Sequence, residues 1–296
     1  MLMRLKKVLS VLFRGLLILL GLAAAAVGAA WFSVGADLAR TFEHKGSPVA
    51  ITADPDVIAE GQRLARIRGC FGGCHGRTVN GEVFAELPGG SRLTAPNLRA
   101  AVDRYTTAEL DGLVRHGIRP DGTSLIAVMP SSMFYNLSDD DFSAILSFIM
   151  TQPASDDELP GTRLGAITRV LLVLLRHTYG TLLAAEEIDH DAPRIPPTLD
   201  GRPNGEYLAR TVCTECHGHD LRGAPDETAP TLAIVAAYSL ENFETLMRTG
   251  VPVGGRELDL MAAVAESRFA YFTDDEIESL HAYLLTLAAS APGPQS

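Results

Sequence analysis

The stretch Cys213-Thr214-Glu215-Cys216-His217 contains two cysteines separated by two residues and followed at once by a histidine. A longer version of the pattern lies upstream, Cys70-Phe71-Gly72-Gly73-Cys74-His75, with three residues between its cysteines. Together the two stretches contain all four cysteines of the 296-residue chain. The cysteines therefore belong to two local clusters, and none is left over for a disulfide elsewhere or for a free thiol.

The order C-x-x-C-H is typical of an attachment site for a c-type haem. Each thiol adds to one vinyl group of the porphyrin, and the following histidine supplies the proximal ligand of the iron. Three other interpretations use the same residues: a disulfide in an oxidising compartment, a zinc site, and a thioredoxin-like pair in a βαβ context, which the sequence does not show. We predict two covalent haem sites, whose cysteine and histidine residues are Cys70, Cys74, His75, Cys213, Cys216 and His217.

The sequences around the two clusters repeat each other, which indicates two copies of one domain. Gly61–Arg66 precedes the first cluster, and the similar Gly205–Arg210 precedes the second. After the clusters, Ala95-Pro96-Asn97-Leu98 corresponds to Ala229-Pro230-Thr231-Leu232. The repeat makes the irregular first cluster credible as a second site of the same kind.

Each copy also shows a middle helix with recognisable ends. In the first copy, Thr106 and Glu109 have the spacing of a capping box. Gly117 and Gly250 fit the left-handed position that ends a helix in each copy. A helix of similar length is therefore expected in the middle of both copies.

A last helix closes each copy. Ser138 and Thr273 are suitable N-caps, and acidic residues follow each of them in the first turn, where they suit the helix dipole. Apolar residues then recur at helical spacing. We find no alternating strand pattern of any length, so the predicted class is all-α.

Each half resembles a class I cytochrome c domain, and the whole resembles a membrane-anchored dihaem cytochrome c. The resemblance covers about residues 55–153 and 198–290, which leaves 154–197 as a linker. In this family a proline carbonyl accepts a hydrogen bond from the proximal histidine. Pro96 and Pro230 match that position, and the bond would orient the imidazole ring and raise its basicity.

The resemblance also implies a methionine as sixth iron ligand, from the segment before the last helix. A thioether favours the reduced iron and raises the potential. In the second copy Met261 is the one methionine in that segment. In the first copy Met129 and Met133 compete; Met129 is preferred because a proline follows it, as in similar cytochromes, and Met133 is interpreted as core. Met247 and Met150 are also expected in the core.

The N-terminal region differs in composition from the rest. Four basic residues precede Gly15–Phe32, eighteen residues without a charge, which is near the minimum for a membrane span. The basic flank is expected to stay in the cytoplasm. Residues 1–34 are thus expected to be a single anchor in a bacterial inner membrane, with the haem domains in the periplasm. Ala23–Ala30 leaves a cleaved signal peptide as the alternative, and the apolar run as far as Trp31 favours the anchor.

Charge and hydropathy add two expectations. Acidic residues outnumber basic ones by 36 to 25, giving a net charge of −11, which argues against a nucleic-acid partner. In the linker, the apolar stretch Leu164–Ala185 is interrupted by Arg169 and Arg176. It is expected to form an amphipathic helix that packs on a domain or rests on the membrane surface.

The resemblance implies single-electron transfer between a membrane or periplasmic donor and acceptor. A dehydrogenase subunit or a terminal oxidase is the expected partner. The sequence shows no catalytic acid–base pair or nucleophile, so a carrier is favoured over a catalyst. The alternative is a dihaem oxidoreductase, a peroxidase or a sulfur-compound dehydrogenase, with one open haem at the altered site Cys70–His75.

Overall fold

The computed structural model describes residues 2–43, 45–155, 159–224 and 228–290. Most of these residues are helical, which confirms the predicted all-α class. The α-helices, in chain order, are α1 Leu2–Leu38, α2 Pro55–Ile67, α3 Leu98–Arg104, α4 Thr107–His116, α5 Ser131–Phe134, α6 Asp139–Met150, α7 Ala166–Tyr179, α8 Gly205–Val212, α9 Thr214–His217, α10 Leu240–Thr249, α11 Asp259–Ser267 and α12 Asp274–Ala289. Short 3-10 helices lie at Ala184–Glu187, Leu232–Ala237 and Phe269–Tyr271.

Two small antiparallel hairpins interrupt the helices, although the sequence predicts no strand. They are β1 Glu82–Leu87 with β2 Ser91–Ala95, and β3 Thr198–Leu199 with β4 Arg202–Pro203. Gly89 and Gly90, both left-handed, close the turn of the first hairpin. A register shift follows Val83. This bulge breaks the alternation by which a strand is recognised in sequence.

In each copy the first helix crosses the last one at a glycine. A Cβ atom on Gly61 in α2 would overlap the carbonyl oxygen of Ala144 in α6. A Cβ atom on Gly205 in α8 would overlap the carbonyl oxygen of Ser279 in α12. Only glycine permits these two backbones to approach so closely. The crossing fixes the chain just before each cysteine cluster.

The helix ends form as predicted because they depend on local residues. Thr106 and Glu109 make a full capping box at α4, and Thr273 makes another at α12 with Glu276. The Ser138 hydroxyl accepts from the backbone N–H of Asp141 at α6. The left-handed residues that end α4 and α10 are Gly117 and Gly250.

The two copies share one continuous hydrophobic core and are joined by ion pairs. Arg63 of α2 donates Nη1 and Nη2 to the two carboxylate oxygens of Glu276 in α12, at 2.7 and 2.9 Å. Arg68, which is buried, lies 3.1 Å from the carboxylate of Asp141. The same carboxylate accepts at 2.6 Å from the hydroxyl of Tyr207 in the second copy. The partly buried bidentate contact of Arg63 with Glu276 and the carboxylate of Asp141, which Arg68 and Tyr207 share, hold the copies in one arrangement.

The linker contains the expected helix, α7, and it packs beside the end of α1. The guanidinium of Arg169 lies over the ring of Trp31, with its Cζ 4.1 Å from the ring centroid. Arg176 lies 3.7 Å from Asp37. Because the contacts advance in the same direction along both helices, α7 runs parallel to the end of α1. Its apolar side chains that remain exposed are Ile167, Leu171, Leu174 and Leu175.

The first hairpin holds the start of α7. Arg92 in β2 and Arg163 exchange two backbone hydrogen bonds of 2.8 Å. The hydroxyl of Ser91 accepts from the N–H of Gly165 at 2.7 Å and donates to Thr168 at 2.6 Å. The first copy is therefore connected to α1 through β2 and α7.

Candidate haem-attachment sites

Each cluster presents its histidine in the same way. Nδ1 of His75 lies 2.8 Å from the carbonyl oxygen of Pro96, and Nδ1 of His217 lies 2.8 Å from the carbonyl oxygen of Pro230. The carbonyl can only accept, so Nδ1 carries the proton in both rings and Nε2 keeps its lone pair. Burial lowers the pKa of both imidazoles, which keeps them neutral and able to bind a metal.

The loops that follow the histidines have the same shape. The N–H of Gly81 donates to the carbonyl of His75 at 3.1 Å, and the N–H of Gly223 donates to the carbonyl of His217 at 2.9 Å. Val79 and Leu221 are both fully buried with positive φ, 55° and 62°. A branched or bulky residue rarely adopts this conformation. Because both loops contain an unfavourable backbone conformation at the corresponding position, we infer that this conformation brings the proline carbonyl back to the histidine ring.

The donor set of both clusters fits a c-type haem. Two thiols precede an imidazole whose Nδ1 is already bonded, and in the part of the chain that the structure describes Nε2 of neither ring makes a hydrogen bond. A ring nitrogen left free beside two cysteines suits axial ligation of an iron with covalent attachment of its porphyrin.

The cysteines are free thiols before attachment. Burial raises the pKa of Cys70 to about 11 and that of Cys213 to about 12. Burial also raises the pKa of Cys74 and Cys216, which are more exposed. All four side chains are therefore neutral thiols near pH 7.

The extra residue of the first cluster is absorbed by a glycine turn. Gly69 and Gly72 are left-handed, at φ 76° and 78°. A Cβ atom on Gly73 would overlap the carbonyl oxygen of Gly69. Phe71 projects out of the turn and packs edge-on against Phe148 at 5.3 Å. The second cluster instead continues into the short helix α9, so the two cysteine pairs are carried by different local structures.

The candidate methionines differ in position. Met129 is partly buried just before α5, while Met133 lies within α5 and is 2% exposed. Met261 is partly buried on α11, so this segment is helical and not an open loop. Met247 is buried in the core, as expected. Met150 was also expected in the core, and that prediction is wrong: its side chain is 42% exposed because Met150 is the last residue of α6. The choice of Met129 and Met261 as ligands stays a prediction.

Sequence reasoning missed a stacked histidine pair between the first copy and the linker. His116, at the end of α4, stacks on His190 of the linker, with Nδ1 atoms 3.0 Å apart. Burial lowers the pKa of His116 to about 4. Only the tertiary fold brings the linker histidine to this helix, so no local pattern could have revealed the pair.

The fold and both sites define a protein with two cytochrome c-type domains. The cytochrome c family model matches the chain twice, over residues 58–153 and 203–288. The chain therefore belongs to the cytochrome c family, and it carries two covalently bound haem c groups.

The relatives include cytochrome subunits of dehydrogenases. The chain is 26% identical over 285 residues to the cytochrome c subunit of alcohol dehydrogenase (quinone) from Gluconacetobacter polyoxogenes, covering 83% of this chain and 60% of that protein. It is 25% identical over 282 residues to the fructose dehydrogenase cytochrome subunit of Gluconobacter japonicus, covering 84% and 56%. A diheme cytochrome c-type protein of Cereibacter sphaeroides is 28% identical over 125 residues, covering 36% and 42%. The chain thus spans less than two thirds of the length of these relatives.

Proposed function

We propose that this chain is the electron-carrying subunit of a membrane-bound dehydrogenase. Cys70, Cys74 and His75 hold one haem, and the second cluster holds the other. The observation that carries the proposal is the identical histidine–proline geometry of 2.8 Å in both copies. When bound, each haem stores and releases a single electron, and the chain orients the imidazole and shields the site from water.

The first test counts the covalent haems. Intact mass after acid–acetone extraction is expected to show two haems on each full-length chain. One haem would mean that the first cluster does not attach a porphyrin. A colourless, unmodified chain would support a zinc or disulfide protein and would contradict the proposal.

The sixth ligands are tested by substitution. Met129→Ala and Met261→Ala are each expected to remove the weak sulfur-to-iron band of one haem, while Met133→Ala leaves both bands. Loss of the band in Met133→Ala alone would reverse the assignment in the first copy. If His75 with Met129 and His217 with Met261 held the two irons, neither iron would keep a position open for a substrate.

The irregular first cluster supports one second candidate, a dihaem oxidoreductase with an open iron. Its glycine turn differs from α9, and two methionines lie near the predicted ligand position. Carbon monoxide separates the two functions. The carrier is expected to remain low-spin and not to bind carbon monoxide in its native state, whereas binding by one haem would favour the enzyme.

Membrane attachment through α1 is part of the proposal. Among the described residues, the segment Lys6–Leu38 is long and apolar enough to span a membrane, and an 18-residue stretch within it has a mean hydropathy of 2.3. The basic residues before it set a cytoplasmic N-terminus, so that the haem domains lie on the periplasmic side. The supporting observation is α7, whose exposed leucines lie beside the end of α1 that carries Trp31. We expect carbonate-washed membranes to retain a chain with its full N-terminal mass; a chain lacking the first 30 or so residues would indicate a cleaved signal.

The dehydrogenase partner and the acceptor follow from the relatives. Their names specify alcohol and fructose dehydrogenases, and the alcohol enzymes are named with quinone.

A cavity of about 390 Å³ lies between α1, α7 and the loop Ile126–Val128, directly before Met129. Its mainly apolar lining suits a lipid-soluble quinone that accepts electrons from the first haem. Leu171→Trp, which would fill the cavity, is expected to slow electron transfer to a short-chain quinone without changing reduction of the haems by dithionite. An unchanged rate would contradict the assignment of this cavity.

A further inference from the structure

Arg268 lies between the two cysteine clusters, on the segment that joins α11 to α12. Its Nε donates to the carbonyl oxygen of Ile67 at 2.9 Å, and its Nη1 lies 3.5 Å from Oε2 of Glu215. Ile67 is three residues before the first cysteine of the first cluster. Glu215 lies between the two cysteines of the second cluster. A single side chain thus contacts the residues that lead into the first cluster and a residue within the second.

The first cluster leaves space for this guanidinium. A Cβ atom on Gly69 would lie 3.0 Å from Cζ of Arg268 and 3.1 Å from its Nη1. Gly69 also has φ of 76°, so any side chain there would be both strained and crowded. The glycine turn that accommodates the extra residue is therefore also the surface on which Arg268 rests.

The charge of Arg268 is poorly solvated and reaches both clusters. Its side chain is 14% exposed, and Nη2 is buried without a hydrogen-bond partner in the described part of the chain. Burial is the main influence on the four thiols and raises their pKa, and the positive charge of Arg268 opposes that effect at every one of them. Charges separated from water by protein act over longer distances than exposed ones.

We propose that Arg268 is a positioning residue that joins the two haem-attachment clusters and supplies both haem sites with a shared positive charge. The inference rests on the proposed attachment of a haem at each cluster. A nearby positive charge stabilises the state of a site that holds one more electron, so it raises the reduction potential of both sites. When an electron passes between them, one site is oxidised by one electron and the other is reduced by one, with no proton moved and no bond made. A shared charge therefore shifts both potentials together and leaves their difference nearly unchanged.

The experiment is an optical redox titration of the full-length protein in detergent, after its haem content has been counted. Arg268→Gln, which removes the charge, is expected to lower both midpoint potentials. Arg268→Lys, which keeps the charge, is expected to leave them near the original values. Glu215→Gln removes the neighbouring negative charge and is expected to raise both. The matched control Arg202→Gln breaks an exposed ion pair with Glu278 and is expected to change neither.

The outcomes separate the inference from the function on which it rests. A shift of only one potential, or of none, in Arg268→Gln with both haems present would overturn the shared charge. Equal shifts in Arg268→Lys and Arg268→Gln would show that packing and not charge is responsible. If Arg268→Gln fails to fold, the sign of the change in Glu215→Gln decides, since no rise in either potential would reject the inference. A wild-type chain with fewer than two haems would contradict the attachment proposal itself.

Discussion

The two copies reach the same histidine–proline geometry by different routes. The second copy spans 13 residues from His217 to Pro230, whereas the first spans 21 from His75 to Pro96. The first copy also has one more residue between its cysteines. In both, a fully buried residue with positive φ and a glycine N–H bonded to the histidine carbonyl close the loop. The comparison teaches that the hydrogen bonds that close the loop are the same in both copies, while the number of residues between the cysteines and between histidine and proline can vary.

The largest expected effect comes from giving the second cluster the length of the first. Inserting one glycine between Thr214 and Glu215 is expected to remove the second haem, because α9 begins directly after Cys213 and has no glycine turn to absorb a residue. Intact mass is expected to show one haem per chain. As the matched change in the first copy, Gly72→Ala strains a position with φ of 78° and is expected to lower occupancy of the first haem only in part. Two haems on the insertion variant would show that α9 is not required.

At the helix crossings, by contrast with the cysteine clusters, the two copies are expected to respond to substitution in the same way. Gly61→Ala and Gly205→Ala are each expected to lower the free energy of unfolding by about 3 kcal/mol or more, because the new methyl group overlaps a backbone carbonyl. Denaturant unfolding measures the change. Gly161→Ala, with nothing within 4 Å of its Cβ position, is the control. If one of the two alanine variants unfolds with an unchanged free energy, the close helix crossing does not stabilise that copy.

Sensitivity to acid is expected to reside in the first copy. The folded state holds the pKa of His116 at about 4, below the unfolded value of 6.5, so the unfolded chain binds the proton first. Stability from the neutral histidine is therefore present above pH 6.5 and is lost as the pH falls towards 4, by up to about 3 kcal/mol. The second copy has Thr249 at this position. His116→Thr is expected to flatten the dependence of the denaturant midpoint between pH 7 and 5; an unchanged slope would contradict the assignment to this pair.

The smallest expected effect concerns the hairpin β1–β2, which lies between His75 and Pro96 of the first copy. Ser91→Ala leaves the buried N–H of Gly165 without its acceptor and is expected to cost about 1–2 kcal/mol. Amide hydrogen exchange at the start of α7 measures this loss locally. Thr168→Val removes only the other partner of Ser91 and is expected to change exchange less. Equal protection in both variants and wild type would mean that the hairpin does not hold α7.

The sequence predicted the features that depend on neighbours along the chain. The haem motifs, the repeat, the capping box of α4, the N-caps Ser138 and Thr273, and the glycines that end α4 and α10 are local signals. Arg268, Glu276 and His190 act across the joint between copies or from the linker, where no spacing rule applies. The first hairpin was not predicted because its bulge interrupts the alternation of apolar and polar residues along the strand. Met150 was wrongly predicted to be buried because the exposure of a residue in the last turn of a helix depends on which elements pack against that turn.

The closed loop between histidine and proline also marks where this domain accepts new sequence. The first copy holds eight more residues there than the second, and they form a hairpin that serves another part of the molecule. The corresponding stretch of the second copy, between Gly223 and Pro230, is thus a natural position for a guest peptide. A reporter or an affinity tag inserted after Gly223 is expected to leave the loop closure intact, because the N–H of Gly223 is already bonded to the carbonyl of His217.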